Sequence, residues 1–177
     1  MGEHLPPRPE VVAEQWEREL EGLDTTTFLL VSTVQRLRRH LEQAFTDLAR
    51  DHGLRPADLR VLLALRRSGP RCQLSPTALF RELMITSGAV SKQIDALCDL
   101  GLVTRVNDPD VLRGLLVRLE PGGRDIAESA MRRISTSYCG LEDLDGEQAA
   151  TALAALRSLL TTVENSSAVT GAPQRQN

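Results

Sequence analysis

Apolar residues recur at three- and four-residue intervals along most of the chain, which predicts a mainly helical protein. The longest apolar stripe predicts a helix over residues 25–51, closed by Gly53 in the position that tolerates a left-handed backbone. Its members are Leu30, Val34, Leu37, Leu41, Phe45 and Leu48. A shorter amphipathic helix over residues 11–20 precedes it and carries the single tryptophan, Trp16.

The middle of the chain predicts three further helices followed by two short strands. Pro56 opens the first helix, and Ser75 with Pro76 has the composition of a helix start. A tight turn at 84–86 leads to a helix over residues 87–100, closed by Gly101. Two runs rich in Val and Leu, 102–106 and 115–119, flank a polar turn and predict a β-hairpin. Two helices joined by a tight turn and followed by a hairpin form a winged helix-turn-helix.

The fold class predicted is therefore mainly α with a small β-hairpin wing, the winged helix-turn-helix occupying residues 55–123. Helical patterns resume at 124–137 and 146–164. Residues 1–9 and 166–177 are rich in proline or small polar side chains, and we expect them to be disordered.

Composition and charge narrow the class of partner. The chain has 177 residues, of which 41 % are hydrophobic and 3 % aromatic, so Leu, Val, Ile and Ala must build the core. Its net charge is −3, but residues 55–124 carry eleven basic and seven acidic side chains. The local field decides phosphate binding, so the basic middle is compatible with DNA.

No window approaches the roughly 18 apolar residues of a membrane span. The acidic, proline-containing N-terminus is unlike a signal peptide, which predicts a cytoplasmic protein without a membrane partner.

The side chains that commonly carry enzymatic or metal chemistry are few and scattered. Cys72, Cys98 and Cys139 fit no zinc spacing, and the three histidines are too dispersed for a metal site. No Ser-His-acid order or glycine-rich phosphate loop is present. We therefore predict no enzyme activity, no metal and no cofactor. Cys72, which follows an arginine, is the better candidate for a reactive thiol, and Cys98 is expected to be a small buried hydrophobe.

Candidate DNA contacts lie on the second helix of the motif and at the wing tip. Ser87, Ser91, Lys92 and Gln93 fall on the first turns of that helix, where base edges are met in the major groove. Arg113 lies at the tip of the predicted wing. The alternative interpretation is an ordinary solvated polar surface.

Three segments together resemble the MarR family of transcriptional regulators. They read Leu-Arg-Val-Leu-Leu-Ala-Leu from position 59, Gly-Leu-Val-Thr-Arg from 101 and Leu-Glu-Pro-Gly-Gly-Arg from 119. The resemblance implies a homodimer in which the terminal helical regions, 10–54 and 124–165, interlock. Each protomer would offer one winged helix to a half-site of pseudopalindromic DNA. In the wing, Asp108 and Arg113 keep the family pattern, whereas Leu112 departs from it.

A finer resemblance is to the urate-responsive branch of that family. Trp16 and Arg105 match positions tied to ligand response in that branch, whereas Arg60 stands in place of an aspartate and Gln93 in place of an arginine. The resemblance implies a small-molecule site involving Trp16, Arg60 and Arg105, and the extra cation favours an anionic ligand. The alternatives are that Trp16 only packs and that Arg60 pairs with a nearby acid such as Asp58 or is simply exposed. Arg105 could instead hold the wing through Asp108 or Asp110, or contact a phosphate.

The function predicted is a homodimeric, ligand-responsive regulator that binds double-stranded operator DNA, as a repressor rather than an activator. One alternative is a cysteine redox sensor of the same fold. Another is a winged-helix protein-interaction module without specific DNA binding, which the net acidity and the depleted wing would favour.

Overall fold

A computed structural model describes residues 6–83, 87–111 and 114–170. The chain divides into two compact units, Met1–Ile134 and Ser135–Asn177. Within the described ranges, seven α-helices and three short strands are found. In chain order they are α1 Pro9–Glu19, α2 Thr26–Asp51, α3 Pro56–Arg67, β1 Gln73–Leu74, α4 Pro76–Leu83, α5 Ser87–Asp99, β2 Val103–Asn107, β3 Leu115–Leu119, α6 Pro121–Thr136 and α7 Gly146–Thr170. This order confirms the predicted mainly helical fold with a hairpin wing.

Most helix ends lie where the local sequence chemistry places them. Gly53 and Gly101 follow α2 and α5 with φ angles of +68° and +66°, in the left-handed region that glycine adopts without a Cβ penalty. Ser75 caps α4, because its Oγ accepts a hydrogen bond of 3.1 Å from the Ala78 amide. Proline occupies the first position of α3, where its missing N–H costs no helical hydrogen bond.

The three strands form one antiparallel sheet in the order β1-β3-β2. Val103 pairs with Leu119 and Asn107 with Leu115, so β2 and β3 form the hairpin that the sequence predicts. Strand β1 pairs with β3 through Gln73 and Leu74 alone. It was not predicted, because two residues are too few to show an alternating pattern.

The core of the first unit is built around α3. Leu59, Leu62 and Leu65 are fully buried there, and Leu79 of α4 and Leu97 of α5 are buried equally deeply. Each such leucine contributes roughly 1.5–3 kcal/mol by leaving water. The helix-turn-helix therefore rests on an aliphatic core, as the scarcity of aromatic residues predicts.

The two C-terminal helices differ from the expected bounds. Helix α6 begins at Pro121, three residues before the predicted start, because Pro121 takes the first helical position. Helix α7 runs to Thr170, six residues past the predicted end. Among the described residues, no helix is both long and apolar enough to cross a membrane.

Candidate nucleic-acid interface

Helix α5 has one face against the core and one face in solvent. Ile94 and Leu97 are 1 % and 0 % exposed, so they fix the helix on the body of the unit. Ser91 and Lys92 are exposed on its early turns. Ser87 begins the helix, although its side chain and the turn 84–86 lie outside the described residues. The exposed face can therefore present a hydroxyl and an ammonium group to a partner.

Gln93 does not belong to that exposed face. Its side chain is 9 % exposed, and its Oε1 atom has no hydrogen-bond partner. With about 100° of rotation per residue, Gln93 lies only about 40° from Leu97 around the helix axis, so it turns toward the core. The prediction that Gln93 contacts base edges is therefore wrong for this structure. The spacing of Gln93 from Leu97 along the helix already indicates that Gln93 faces the core.

Arg105 of β2 is tied to α5 and not to the wing turn. Its Nη2 atom lies 2.5 Å from Asp95 Oδ1, and its Nη1 atom lies 3.9 Å from Cys98 Sγ. The hydrogen bond to Asp95 raises the pKa of the Arg105 guanidinium, which stays charged at neutral pH. The alternative in which Arg105 holds the wing through Asp108 or Asp110 is wrong, because its carboxylate partner is Asp95 on α5.

The wing turn is closed by its own backbone. The Asp108 amide donates to the Gly114 carbonyl at 2.9 Å, and the Gly114 amide donates to the Val111 carbonyl at 2.8 Å. The Asp108 carboxylate accepts from the Asp110 amide at 2.9 Å, so Asp108 shapes the turn. A Cβ at position 114 would lie 2.8 Å from the Cβ atoms of Asp108 and Val111, which explains a glycine there. Leu112 and Arg113 lie outside the described residues.

Arg60 and Trp16 have different surroundings from those expected. Arg60 Nη2 lies 2.8 Å from Glu42 Oε2, and its guanidinium carbon lies 4.5 Å from the Phe45 ring centroid. The alternative pairing of Arg60 with Asp58 is wrong, because Asp58 accepts both of its hydrogen bonds from Arg55. Trp16 is 49 % exposed on α1, so it is only partly packed.

The exposure of the cysteines differs from what the sequence predicts. Cys72 is fully buried, and its thiol lies 3.4 Å from the Gly69 carbonyl oxygen, so it is not the accessible thiol predicted. Cys98 is partly exposed and Cys139, in the second unit, is exposed. Over the described residues, no group of three or more His, Cys, Asp or Glu side chains could hold a metal ion.

Comparison with known proteins shows which family and which relatives this chain resembles. Residues 52–114 match the family model described as MarR family. The HTH-type transcriptional regulator PecS of Dickeya dadantii is 24 % identical over 112 residues, which are 63 % of this chain and 68 % of that protein. The multiple antibiotic resistance protein MarR of Salmonella typhimurium is 34 % identical over 74 residues, 42 % of this chain and 49 % of that protein. The chain thus spans about half the length of the latter.

Solved structures agree on the fold. A MarR family transcriptional regulator from Streptomyces coelicolor superimposes with a TM-score of 0.66 at 22 % identity, covering 80 % of this chain and 98 % of that one. A mutant MarR from E. coli complexed with operator DNA gives a TM-score of 0.63 at 22 % identity, covering 79 % and 99 %. These likenesses show a winged helix-turn-helix fold, and PecS, the relative matched over 112 residues, is an HTH-type transcriptional regulator.

Proposed function

We propose that this chain is a transcriptional regulator of the MarR family, whose model matches residues 52–114, and that it binds operator DNA through α5 and the wing. The observation that carries the proposal is the exposed Ser91–Lys92 edge of α5, opposite the buried Ile94 and Leu97. A helix held in this way can enter a major groove with its early turns toward the base edges. Ser87 and Arg113 complete the proposed contact set, Arg113 from the wing.

Salt dependence of binding tests this proposal against the protein-interaction alternative. We expect the full chain to bind the DNA flanking its own gene, with the dissociation constant rising at least about tenfold between 50 and 200 mM salt. The physical reason is that each neutralised phosphate releases condensed counterions. An affinity that does not change with salt, or an absence of DNA binding, would favour a protein partner instead.

The proposed DNA-binding form is a homodimer. Helix α7 carries an apolar stripe of Leu153, Leu156, Leu160 and Val163, each more than 40 % exposed. On α2, Leu30, Val34 and Leu37 form a second exposed stripe. We assign both stripes to an interface between two copies, with 10–54 and 124–165 as the dimerisation region and 55–123 as the DNA-binding region. Sedimentation equilibrium should then give twice the chain mass of 19.4 kDa, and a monomer at micromolar concentration would contradict this.

A small anionic ligand is proposed to modulate DNA binding, with repression as its regulatory outcome. Trp16, Arg60 and Arg105 are the ligand residues that the resemblance to the urate-responsive branch implies. For Arg60 and Arg105, ligand contact requires exchange of the partners Glu42 and Asp95. Both are surface ion pairs, worth about 0–1 kcal/mol, so an anionic ligand could compete with them. A promoter assay in which the intact protein raises transcription would contradict repression.

The Asp95–Arg105 ion pair gives a prediction for DNA affinity. Asp95 lies on α5, so its negative charge sits close to the proposed path of the phosphates, and Arg105 neutralises it. We expect Arg105→Ala to weaken binding to operator and random DNA alike, by about threefold to tenfold, because the acid is then uncompensated. Fluorescence anisotropy at 100 mM salt measures both affinities.

The double variant Asp95→Ala with Arg105→Ala supplies the matched control. It removes both charges, so most of the lost affinity should return. If the double variant binds as weakly as Arg105→Ala alone, the guanidinium itself contacts DNA and the compensating role is wrong. Thermal midpoints should change little in both variants, since the pair is exposed.

A further inference from the structure

A cleft on the outer face of the three-stranded sheet brings together two arginines and two carboxamide side chains. Its volume is about 420 Å³. The residues that line it come from the loop before β1, from all three strands and from the wing turn, and they are Arg71, Gln73, Val106, Asn107, Pro109 and Arg118. None of these six is acidic, so the cleft presents only cationic and neutral side chains.

The pairing of the strands determines which side chains share this face. Val117 is 1 % exposed and faces the core, so Arg118, the next residue of β3, points to the other side of the sheet. Gln73 of β1 is the register partner of Arg118, which places the two side chains on one face. Arg105, the register partner of Val117, reaches Asp95 of α5 from the opposite face. The cleft therefore lies on the face of the sheet that is turned away from α5.

Arg71 is held at the cleft by the turn that precedes β1. The Cys72 amide donates to the Gly69 carbonyl at 3.0 Å, and the Cys72 carbonyl accepts from the Leu119 amide at 3.0 Å. Cys72 is fully buried, so the backbone next to Arg71 is anchored in the core. The Arg71 side chain is exposed, and in the ion pairs between described residues it has no carboxylate partner. A cation on such a fixed backbone loses little conformational freedom when it binds an anion.

Arg118 supplies the second positive charge of the cleft. Its Nη2 atom lies 3.4 Å from Glu120 Oε1, and both side chains are partly exposed. A surface pair of this kind contributes about 0–1 kcal/mol, so a phosphate group can take the place of the carboxylate. A guanidinium donates two parallel N–H groups to a phosphate, which makes arginine well suited to this ligand.

The composition of the cleft favours a phosphate over an apolar ligand. Small-molecule sites are lined predominantly by apolar and aromatic side chains, whereas here only Val106 and Pro109 are apolar. The amide groups of Gln73 and Asn107 can each donate N–H hydrogen bonds, which adds neutral donors to the two guanidinium groups. Such a set of donors matches the oxygen atoms of a phosphodiester.

The wing turn connects this cleft to the proposed DNA interface. Asn107 ends β2, and Pro109 belongs to the turn that follows. The minor groove of B-DNA is about 6 Å wide and has a phosphate strand on each side. A wing that enters this groove turns its α5 side toward one strand and its outer face toward the other. Arg118 is the fourth residue of β3, about 10 Å from the start of that strand, so its long side chain can reach phosphates beside the wing.

We propose that the cleft binds the sugar–phosphate backbone of DNA, on the strand that borders the minor groove on the side away from α5. Arg71 and Arg118 each neutralise one phosphate, and Gln73 and Asn107 donate hydrogen bonds to phosphate oxygens. The contact rests on the proposed function, since it requires the wing at the minor groove. It adds to that function a sequence-independent surface that orients the winged helix and reads no bases.

Arg71→Gln, Arg118→Gln and the variant with both changes test the proposal in the full chain. We expect each single change to lower the affinity for operator and random DNA alike, by about threefold to tenfold. The slope of log affinity against log salt should become shallower by about 2 for each arginine, because a homodimer loses two phosphate contacts. Arg8→Gln removes a charge from an exposed position before α1 and should alter the affinity less than about twofold. Fluorescence anisotropy between 50 and 200 mM salt measures each quantity.

Neutral methylphosphonates in the operator locate the contact. They are placed one at a time on the strand that borders the minor groove of the wing on the side away from α5. The parent chain and Arg8→Gln should each lose affinity about threefold or more at one or two of these positions. The variant without Arg71 and Arg118 should be insensitive to the same replacements, because its cleft no longer pairs with those phosphates. Circular dichroism verifies that every variant keeps its helical content.

Three results would overturn this inference. They are an unchanged affinity and salt slope in the variant without both arginines, equal sensitivity of that variant and the parent to the methylphosphonates, and a cleft that serves free phosphate only. The last case would appear as a thermal midpoint that millimolar inorganic phosphate raises in the parent and not in the variant, with equal DNA affinities. A parent chain that binds DNA beside unaffected variants defeats this contact alone. A parent chain that binds no DNA defeats the proposed function and this contact with it.

Discussion

The Gly123→Ala variant is expected to unfold at a temperature roughly 5–10 °C below that of the parent chain. Gly123 is buried in the first turn of α6, and a Cβ there would overlap the carbonyl oxygen of Leu102 and lie 2.9 Å from Leu119 Cδ1. That carbonyl already accepts a hydrogen bond of 3.0 Å from the Glu120 amide, so it cannot turn aside freely. Helix α6 must therefore move away from Leu102 and from Leu119 of β3. Overpacking of this kind costs about 2–3 kcal/mol, which corresponds to that shift for a chain of this size.

Gly122→Ala is the matched control for this prediction. Its Cβ would meet only Leu102 Cδ2, at 3.5 Å, which is an ordinary van der Waals contact. The same replacement one residue earlier should leave the melting temperature unchanged or raise it slightly, because alanine is the better helix former. Thermal unfolding of both variants at one protein concentration decides the matter, since dimerisation would make the midpoint concentration-dependent. Equal midpoints for the two variants would mean that α6 does not approach Leu102 this closely.

The helices and the hairpin could be predicted because the residues that start and end helices agree with the spacing of the apolar positions. Gly53, Gly101, Ser75 and Pro76 each have a local conformational preference that the structure uses as expected. Such preferences depend on a residue and its immediate neighbours, so one sequence is enough to read them. The strand β1 escaped prediction because its two residues form a strand only by pairing with β3, more than forty residues later.

The side-chain partners could not be predicted to the same degree. Arg105 has four acids within ten residues, and sequence distance favours Asp108 over Asp95. The hairpin decides otherwise, because strand direction carries the Arg105 side chain back to α5. Arg60 likewise pairs with Glu42 of α2, eighteen residues earlier, and not with Asp58, two residues earlier. Ion-pair choice is a property of the packed fold, so the pattern alone leaves several partners open.

The error at Gln93 is of a different kind, because the sequence alone was enough to place this side chain on the buried face of α5. Grouping it with Ser91 and Lys92 followed its polarity, whereas its angular position places it beside Leu97. The unpartnered Oε1 atom in a buried setting shows that polarity and position conflict at this residue. The DNA-reading face proposed for α5 is therefore narrower than composition suggests, and its only cation is Lys92.

Lys92→Ala is accordingly expected to lower operator affinity at least about thirtyfold while changing affinity for random DNA by less than about fivefold. Lys92 is exposed on the second turn of α5, where an ammonium group can reach the acceptor atoms of a guanine edge. Each protomer would lose about 1–2 kcal/mol of discrimination, and a homodimer loses it twice. Non-specific binding depends on many phosphate contacts, so the loss of one cation from each protomer affects it less.

Arg8→Ala supplies the control for net charge. It removes one positive charge from an exposed position before α1, outside the proposed dimerisation region and outside α5, and should leave both affinities within twofold. Competition anisotropy with operator and scrambled duplexes at 150 mM salt gives the two affinities for each variant. A loss of equal size on both duplexes would assign Lys92 to the phosphates and remove it from base recognition.

Lys92 can also be tested without a substitution, because it is the only lysine in the chain. An amine-reactive reagent can modify this side chain and the α-amino group, and mass spectrometry of peptides separates the two. Operator DNA should slow the labelling of Lys92 more than tenfold while the α-amino group reacts at its usual rate, since a base-contacting ammonium is shielded in the groove. Labelling of Lys92 at the free-protein rate in a saturated complex would show that α5 does not enter the major groove through this turn.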